Sequence, residues 1–136
     1  MKITSKGRYG IKAMMELHRA EGLLKNREIA EKHNIPVKYL EQIINLLKKN
    51  HLVKSVRGAE GGYRLAVPGK EITLFQILEC LEGDLSILDK SDTNWTESTS
   101  EFWAEIDKFV SNYLSITLEE FVLQHETTKA DLMYFI

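Results

Sequence analysis

SVRGAEGGYRL, residues 55–65, sets two arginines, three glycines and a tyrosine between short apolar runs. LVKSV before the glycines (52–56) and YRLAV after them (63–67) have the composition of strands, and RGAEGG is the turn that joins them. Glycine permits positive φ and lets a backbone approach another surface with no side chain in the way. Pro68 and Gly69 terminate the second strand. The stretch is therefore a β-hairpin with Arg57 at or beside its tip.

The residues just upstream decide what the hairpin belongs to. VKYLEQIINLLKKN carries Leu40, Ile43, Ile44 and Leu47 at i, i+3, i+4 and i+7, the stripe of a helix packed on a core. Lys48, Lys49, Asn50 and His51 close it, with cations at the negative end of the helix dipole. NIP precedes it, and proline disfavours helix at the residue before it, so Asn34 and Ile35 form a break and Pro36 opens the helix. NREIAEKH before that break is a short helix, with Asn26 as its cap and Glu28 and Glu31 in its early turns. Two short helices joined by a tight turn, about 26–49, form a helix-turn-helix, and a hairpin placed directly after one, about 52–67, is a wing. A first helix runs from a Ser5 cap to about Ala20, with Ala13, Met14 and Leu17 inward and Gly22 ending it.

Downstream, a fourth helix from Thr73 to Glu82 turns Leu74, Ile77, Leu78 and Leu81 inward. GDLSILDKSDTNWTEST, 83–99, is polar, acidic and irregular. A long helix from about Ser100 to Ser115 then presents Phe102, Trp103, Ile106, Phe109, Val110, Tyr113 and Leu114 at helical spacing. This aromatic area exceeds what so small a core needs, and it reads as a dimer seam. Thr117 caps a last short helix, LEEFVLQ. The fold expected is mainly α with a small β-hairpin: a winged helix-turn-helix over 1–82, a regulatory loop over 83–99, and a dimerisation helix with a C-terminal helix over 100–136.

Charge divides along the same line. Residues 1–70 hold 15 Lys and Arg against 6 Asp and Glu, and residues 71–136 hold 3 against 14, leaving a net −2 over 136 residues. A basic half joined to an acidic half fits a polyanion-binding face kept apart from a regulatory or assembly region. Other classes are excluded by what is missing. The longest apolar run is only a few residues, so nothing spans a membrane, and MKITSKGRYG lacks the apolar core of a secretory signal. A cytoplasmic protein is expected. There is no Ser/His/Asp set, no phosphate-binding glycine loop opening a helix and no ligand cluster for a metal, so the chain is not read as an enzyme. The one cysteine, Cys80, cannot form an internal disulfide and reads as a small buried or interface hydrophobe, with a redox-sensing thiol as the other reading. His18, His33, His51 and His125 are scattered without metal-ligand spacing. Trp95 reads as a packing anchor, or else as the wall of a small-ligand site.

A helix that enters the major groove meets base edges with its amino-terminal residues. Gln42 can offer a paired donor and acceptor to adenine, and Glu41 can accept from cytosine N4. Lys2, Ser5, Lys6, Arg8 and Tyr9 form a polar and basic run suited to phosphate contact, although Tyr9 fits a core equally well. The other function class these residues allow is a winged-helix docking module that never touches DNA; the basic half speaks against it.

Three segments, MKITSKGRYGIKAMMEL, YLEQIINLLKKNHLVKSVRGAEGGYRL and ITLFQILECLEG, together resemble the Rrf-two family of bacterial winged-helix transcriptional regulators, the IscR, NsrR and CymR group. The tail, with TLEEF and LMYFI, looks most like the cluster-free CymR type. The resemblance implies a homodimeric repressor on a pseudo-palindromic double-stranded operator, with Lys38, Tyr39, Glu41 and Gln42 in the first turns of the recognition helix, Arg57 as the wing arginine of the minor groove and Gly61, Gly62 and Tyr63 as the wing turn. It also implies control by an effector or by a partner enzyme of cysteine synthesis. Several family members hold an iron–sulfur cluster through three cysteines in the loop before the dimer helix. Residues 83–99 contain no cysteine and no histidine, and Arg8 stands where cluster-binding relatives can carry an acidic residue, so no cofactor is expected.

Overall fold

Leu40, Ile43, Ile44 and Leu47 are fully buried in a computed structural model of the chain, the stripe that their spacing predicts. The structure describes residues 1–87 and 97–126. In chain order it runs α1 (Ser5–Arg19), α2 (Asn26–His33), α3 (Val37–Lys49), β1 (Val53–Val56), β2 (Gly62–Leu65), a 3-10 turn (Gly69–Glu71), α4 (Leu74–Glu82), α5 (Glu97–Tyr113) and α6 (Leu118–Gln124). The expected acidic loop lies mostly outside the described residues, as do Trp95 and the tail LMYFI.

One core collects Ala13, Met14 and Leu17 of α1, Ile29 of α2, the α3 stripe, Ile77 and Leu81 of α4, and Leu118 and Val122 of α6. The strands are antiparallel, with Val53 opposite Leu65 and Val56 opposite Gly62. Helices α1 and α4 lie close because α1 carries glycine at two positions three apart. A Cβ on Gly7 would meet Glu82 Oε1 at 2.7 Å, and one on Gly10 would collide with the Leu81 side chain.

The starts of α1, α2 and α3 differ by one residue from the expected ones, for local reasons, and α5 starts at Glu97, three residues before the expected Ser100. Thr4, not Ser5, caps α1, its hydroxyl accepting the Lys6 N–H at 3.2 Å. That helix stops at Arg19, with Ala20 already extended, so Gly22 lies beyond its end. Asn26 is the first helical residue of α2 rather than its cap; Lys25 holds the cap position, and its N–H donates to Glu28 Oε1 at 3.1 Å. Asn34 ends α2 at φ 53°, a left-handed conformation that asparagine tolerates better than most residues. Thr73 and Gln76 cap α4 reciprocally, at 3.1 Å and 2.8 Å. α5 ends at Tyr113, two residues before the expected Ser115. Beyond it the carbonyls of Leu114 and Ile116 accept the Phe75 and Leu74 N–H groups, two of the donors that the start of α4 leaves without helical partners.

Glu16, only 7% exposed, ties α1 to α2. Lys32 Nζ donates to its Oε2 at 3.0 Å, and His33 Nε2 lies 2.9 Å from Oε1. Burial pushes this carboxyl up, but hydrogen bonds from Lys32 and His33 and their charges outweigh it, so its pKa falls below the ordinary carboxylate value. The cluster's stabilisation is thus present above the ordinary value and is lost as pH falls through the lowered one. Glu16→Ala is expected to cost about 1–2 kcal/mol at neutral pH. In chemical denaturation the gap between parent and variant should close on acidification; a gap independent of pH would refute the assignment.

Candidate nucleic-acid interface

Three hydrogen bonds join four elements into one strip. Ser5 Oγ at the start of α1 lies 3.2 Å from Tyr39 Oη in the first turn of α3. Asn26 Nδ2 at the start of α2 donates to Val37 O, also in the first turn of α3, at 3.1 Å. Lys25 Nζ, beside Asn26, donates to Ala59 O in the hairpin loop at 3.0 Å. The amino-terminal ends of three helices and the wing tip therefore share one side of the molecule.

Most of the side chains expected to contact a duplex sit along this strip. Lys2, Arg8, Lys38, Glu41, Gln42 and Arg57 are exposed, and Ser5 and Lys6 are half-buried. α3 starts at Pro36 without a side-chain cap and with no acidic residue in its first turn. Its positive dipole end is left to an anion such as a phosphate. Tyr9 and Tyr39 are half-buried against the core and meet edge to face, with ring centroids 5.9 Å apart. Tyr9 thus has the place of a support under the recognition helix.

The wing is held at both ends. Tyr63 exchanges two backbone hydrogen bonds with Leu24, at 2.7 Å and 3.0 Å, so the α1–α2 connector pairs with the outer edge of β2. At the loop, the Gly61 N–H donates to Gly58 O at 3.0 Å, and Gly58 has φ 114°, where a side chain is strained. Gly61 and Gly62 are places of close approach: a Cβ on the first would collide with Val56 O, and one on the second would meet Leu24 O at 2.7 Å.

Sequence reading missed three contributors to this face: Lys25, the glycine pair of α1, and Glu82. Lys25 has no distinguishing pattern, because its partner is a backbone carbonyl 34 residues away. The glycines did have a signal, since two glycines three apart inside a helix mark a close helix contact. Glu82, the last residue of α4, accepts hydrogen bonds on Oε1 from Thr4 N, Thr4 Oγ1 and Gly7 N at 3.0, 2.7 and 2.8 Å.

On α5, Phe102, Phe109 and Tyr113 are 55%, 71% and 75% exposed, while Trp103, Ile106 and Val110 are half-buried. Cys80 is half-buried with Sγ 3.4 Å from Leu46 O, and burial pushes its thiol up against a hydrogen bond from Asn50.

A family model described as "Iron-dependent Transcriptional regulator", that of the Rrf2 family, matches residues 3–124. The chain belongs to the Rrf2 family. It is 36% identical to the HTH-type transcriptional regulator CymR of Bacillus subtilis over 139 aligned residues, covering all of both chains. Against IscR of Photorhabdus laumondii it is 34% identical over 134 residues, covering 93% of this chain and 82% of that one. The solved structure of B. subtilis CymR, described as the global cysteine regulator of that organism, superposes with a TM-score of 0.84 over 93% of this chain and 99% of that one. The family resemblance and the winged-helix fold expected from sequence are both borne out, and the Rrf2 chain is a transcriptional regulator, not an enzyme.

The family description names iron, and the described residues do not fit it. Among them no group of three His, Cys, Asp or Glu side chains is placed to hold a metal ion. The one cysteine of the sequence is Cys80, whose thiol is directed at a helix carbonyl. Among the described residues no helix is long and apolar enough to cross a membrane.

Proposed function

We propose that this chain is a cytoplasmic, homodimeric repressor that binds a pseudo-palindromic double-stranded operator without an iron–sulfur cluster. The strip joining the starts of α1, α2 and α3 to the wing tip carries the reading. It offers a helix end to the major groove, an arginine-tipped hairpin to the neighbouring minor groove, and lysines to the phosphates between. Residues 1–82 would form the DNA-binding unit, 83–99 the regulatory loop and 100–136 the assembly region, with Leu118 and Val122 also closing the core of the first. Likeness to CymR supports control by a small effector or by an enzyme of cysteine synthesis.

Base readers and phosphate binders leave different traces, and that difference is the test. Gln42→Ala is expected to lose about 1–3 kcal/mol of preference at one base pair, flattening selection there. Lys6→Ala should weaken all sequences alike and reduce the slope of log affinity against log salt by about 1. Titration of each variant against operator and mutated operators, over a salt series, separates the two. If parent and variants ignore DNA even at low salt, the reading fails and a docking module takes its place.

A further inference from the structure

We propose that Glu82 is a positioning residue for DNA recognition, fixing the first turn of α1 and, through Ser5 and Tyr39, the first turn of α3. The proposal rests on the DNA-binding reading above and adds to it a residue that touches no base or phosphate.

The geometry is a short relay. One carboxylate oxygen, Glu82 Oε1, takes hydrogen bonds from the cap residue of α1 and from the Gly7 N–H one turn along. Oxygen approaches this close because residue 7 has no side chain: a Cβ there would sit 2.7 Å from Oε1. The next residue after the cap, Ser5, reaches Tyr39 Oη at 3.2 Å, and Tyr9 one turn on supports the same ring edge to face. Tyr39 lies between Lys38 and the pair Glu41 and Gln42 in the first turns of α3. A shift of α1's first turn therefore moves the residue around which the base-reading side chains are arranged. Coupling of this kind travels through contiguous packed and hydrogen-bonded groups.

Two further facts fit a positioning role. Burial raises the Glu82 carboxyl, but hydrogen bonds from Thr4 and Gly7 and the nearby Lys6 charge outweigh that and lower it, so the group is ionised at neutral pH. A negative charge at the amino end of a 15-residue helix is favourable by itself. It also satisfies the Thr4 and Gly7 amides, which would otherwise be free to take a DNA phosphate. Glu82 is followed directly by Gly83 at φ 84°, where the chain turns away into the segment after α4.

The test is a double-mutant cycle on operator binding, run at a temperature where every variant is folded. Glu82→Ala is expected to lower operator affinity about tenfold and non-specific DNA affinity much less. Glu82→Gln, which keeps an acceptor oxygen, should recover part of the loss. In a Ser5→Ala background Glu82→Ala should add little, because the relay is already cut. Unchanged operator affinity in Glu82→Ala, or full additivity with Ser5→Ala, overturns the proposal. A purely stabilising cap would give the first of those results, since the folded molecules would bind alike. The Tyr39 ring resonances of the DNA-free protein give a reading that needs no DNA. They are expected to shift in Glu82→Ala, and their constancy would overturn the relay even if the DNA-binding reading itself had failed.

Discussion

Arg57→Ala should weaken operator binding by about tenfold to a hundredfold per half-site at physiological salt, since one well-formed contact of this kind discriminates by about 1–3 kcal/mol. The size of the effect follows from how little Arg57 must be reorganised. The residue before it, Val56, pairs with Gly62 at the end of the ladder. The residue after it is Gly58, in a conformation that leaves the loop a tight turn closed by the Gly61 N–H. Lys25 holds the loop from the side through Ala59 O, and Leu24 holds the base through Tyr63. The exposed guanidinium is thus carried on a backbone whose shape is already set, and truncation removes the contact without relaxing the support. Arg57 is exposed, so the stability of the variant should stay within about 0.5 kcal/mol of the parent's. Titration of labelled operator checks the affinity, with the salt slope falling by about 1 for each arginine lost, and denaturant unfolding checks the stability. A variant that binds as tightly as the parent would remove the wing from the interface.

The parts of this molecule that sequence makes legible are those written in local periodicity. The α3 stripe and the inward residues of α4, Leu74, Ile77, Leu78 and Leu81, follow from spacing, and all of them are buried. The hairpin follows from glycine and proline flanking apolar runs. Helix starts were off by one where two capping residues adjoin, as with Thr4 and Ser5, since spacing cannot say which hydroxyl leaves the helix. What stayed hidden depends on distant pairs. The Leu24–Tyr63 bridge, the Lys25–Ala59 bond and the Glu82 contacts link positions 34 to 78 residues apart. Each is made by a residue type that is common on any surface. The wing's arginine was visible because of its neighbours, whereas the groups that aim it are visible only in three dimensions.

Phe109→Glu is expected to have the largest effect of all, lowering affinity for a full operator by about a hundredfold or more. Phe102, Phe109 and Tyr113 are separated by seven and four residues, so they fall on one face of α5, and each is more than half exposed. Phe109 and Tyr113 stack at 6.5 Å between centroids without being covered by their own chain. Burying one such ring is worth about 1.5–3 kcal/mol, and leaving several in water on one helix forgoes that several times over. Beside them Met1, Ile3, Leu78, Val110 and Leu114 line an apolar hollow into which a partner's ring can fit. In the homodimer proposed above, a second copy would cover this face and would bring a second wing to the same duplex. A carboxylate at position 109 would be buried without a counterion in that seam, at a cost the pairing cannot absorb. Because the parent ring is mostly in solvent within one chain, the variant should fold as a monomer with its core intact. Linkage of two half-sites contributes about a hundredfold to ten-thousandfold through effective concentration, and a monomer loses all of it. Light scattering should report half the parent's mass, and the monomer should bind a half-site and a full operator with nearly equal affinity. Parent-like mass with parent-like affinity would show that the α5 aromatics face something other than a second copy, and the two wings would then need another element to bring them to one duplex.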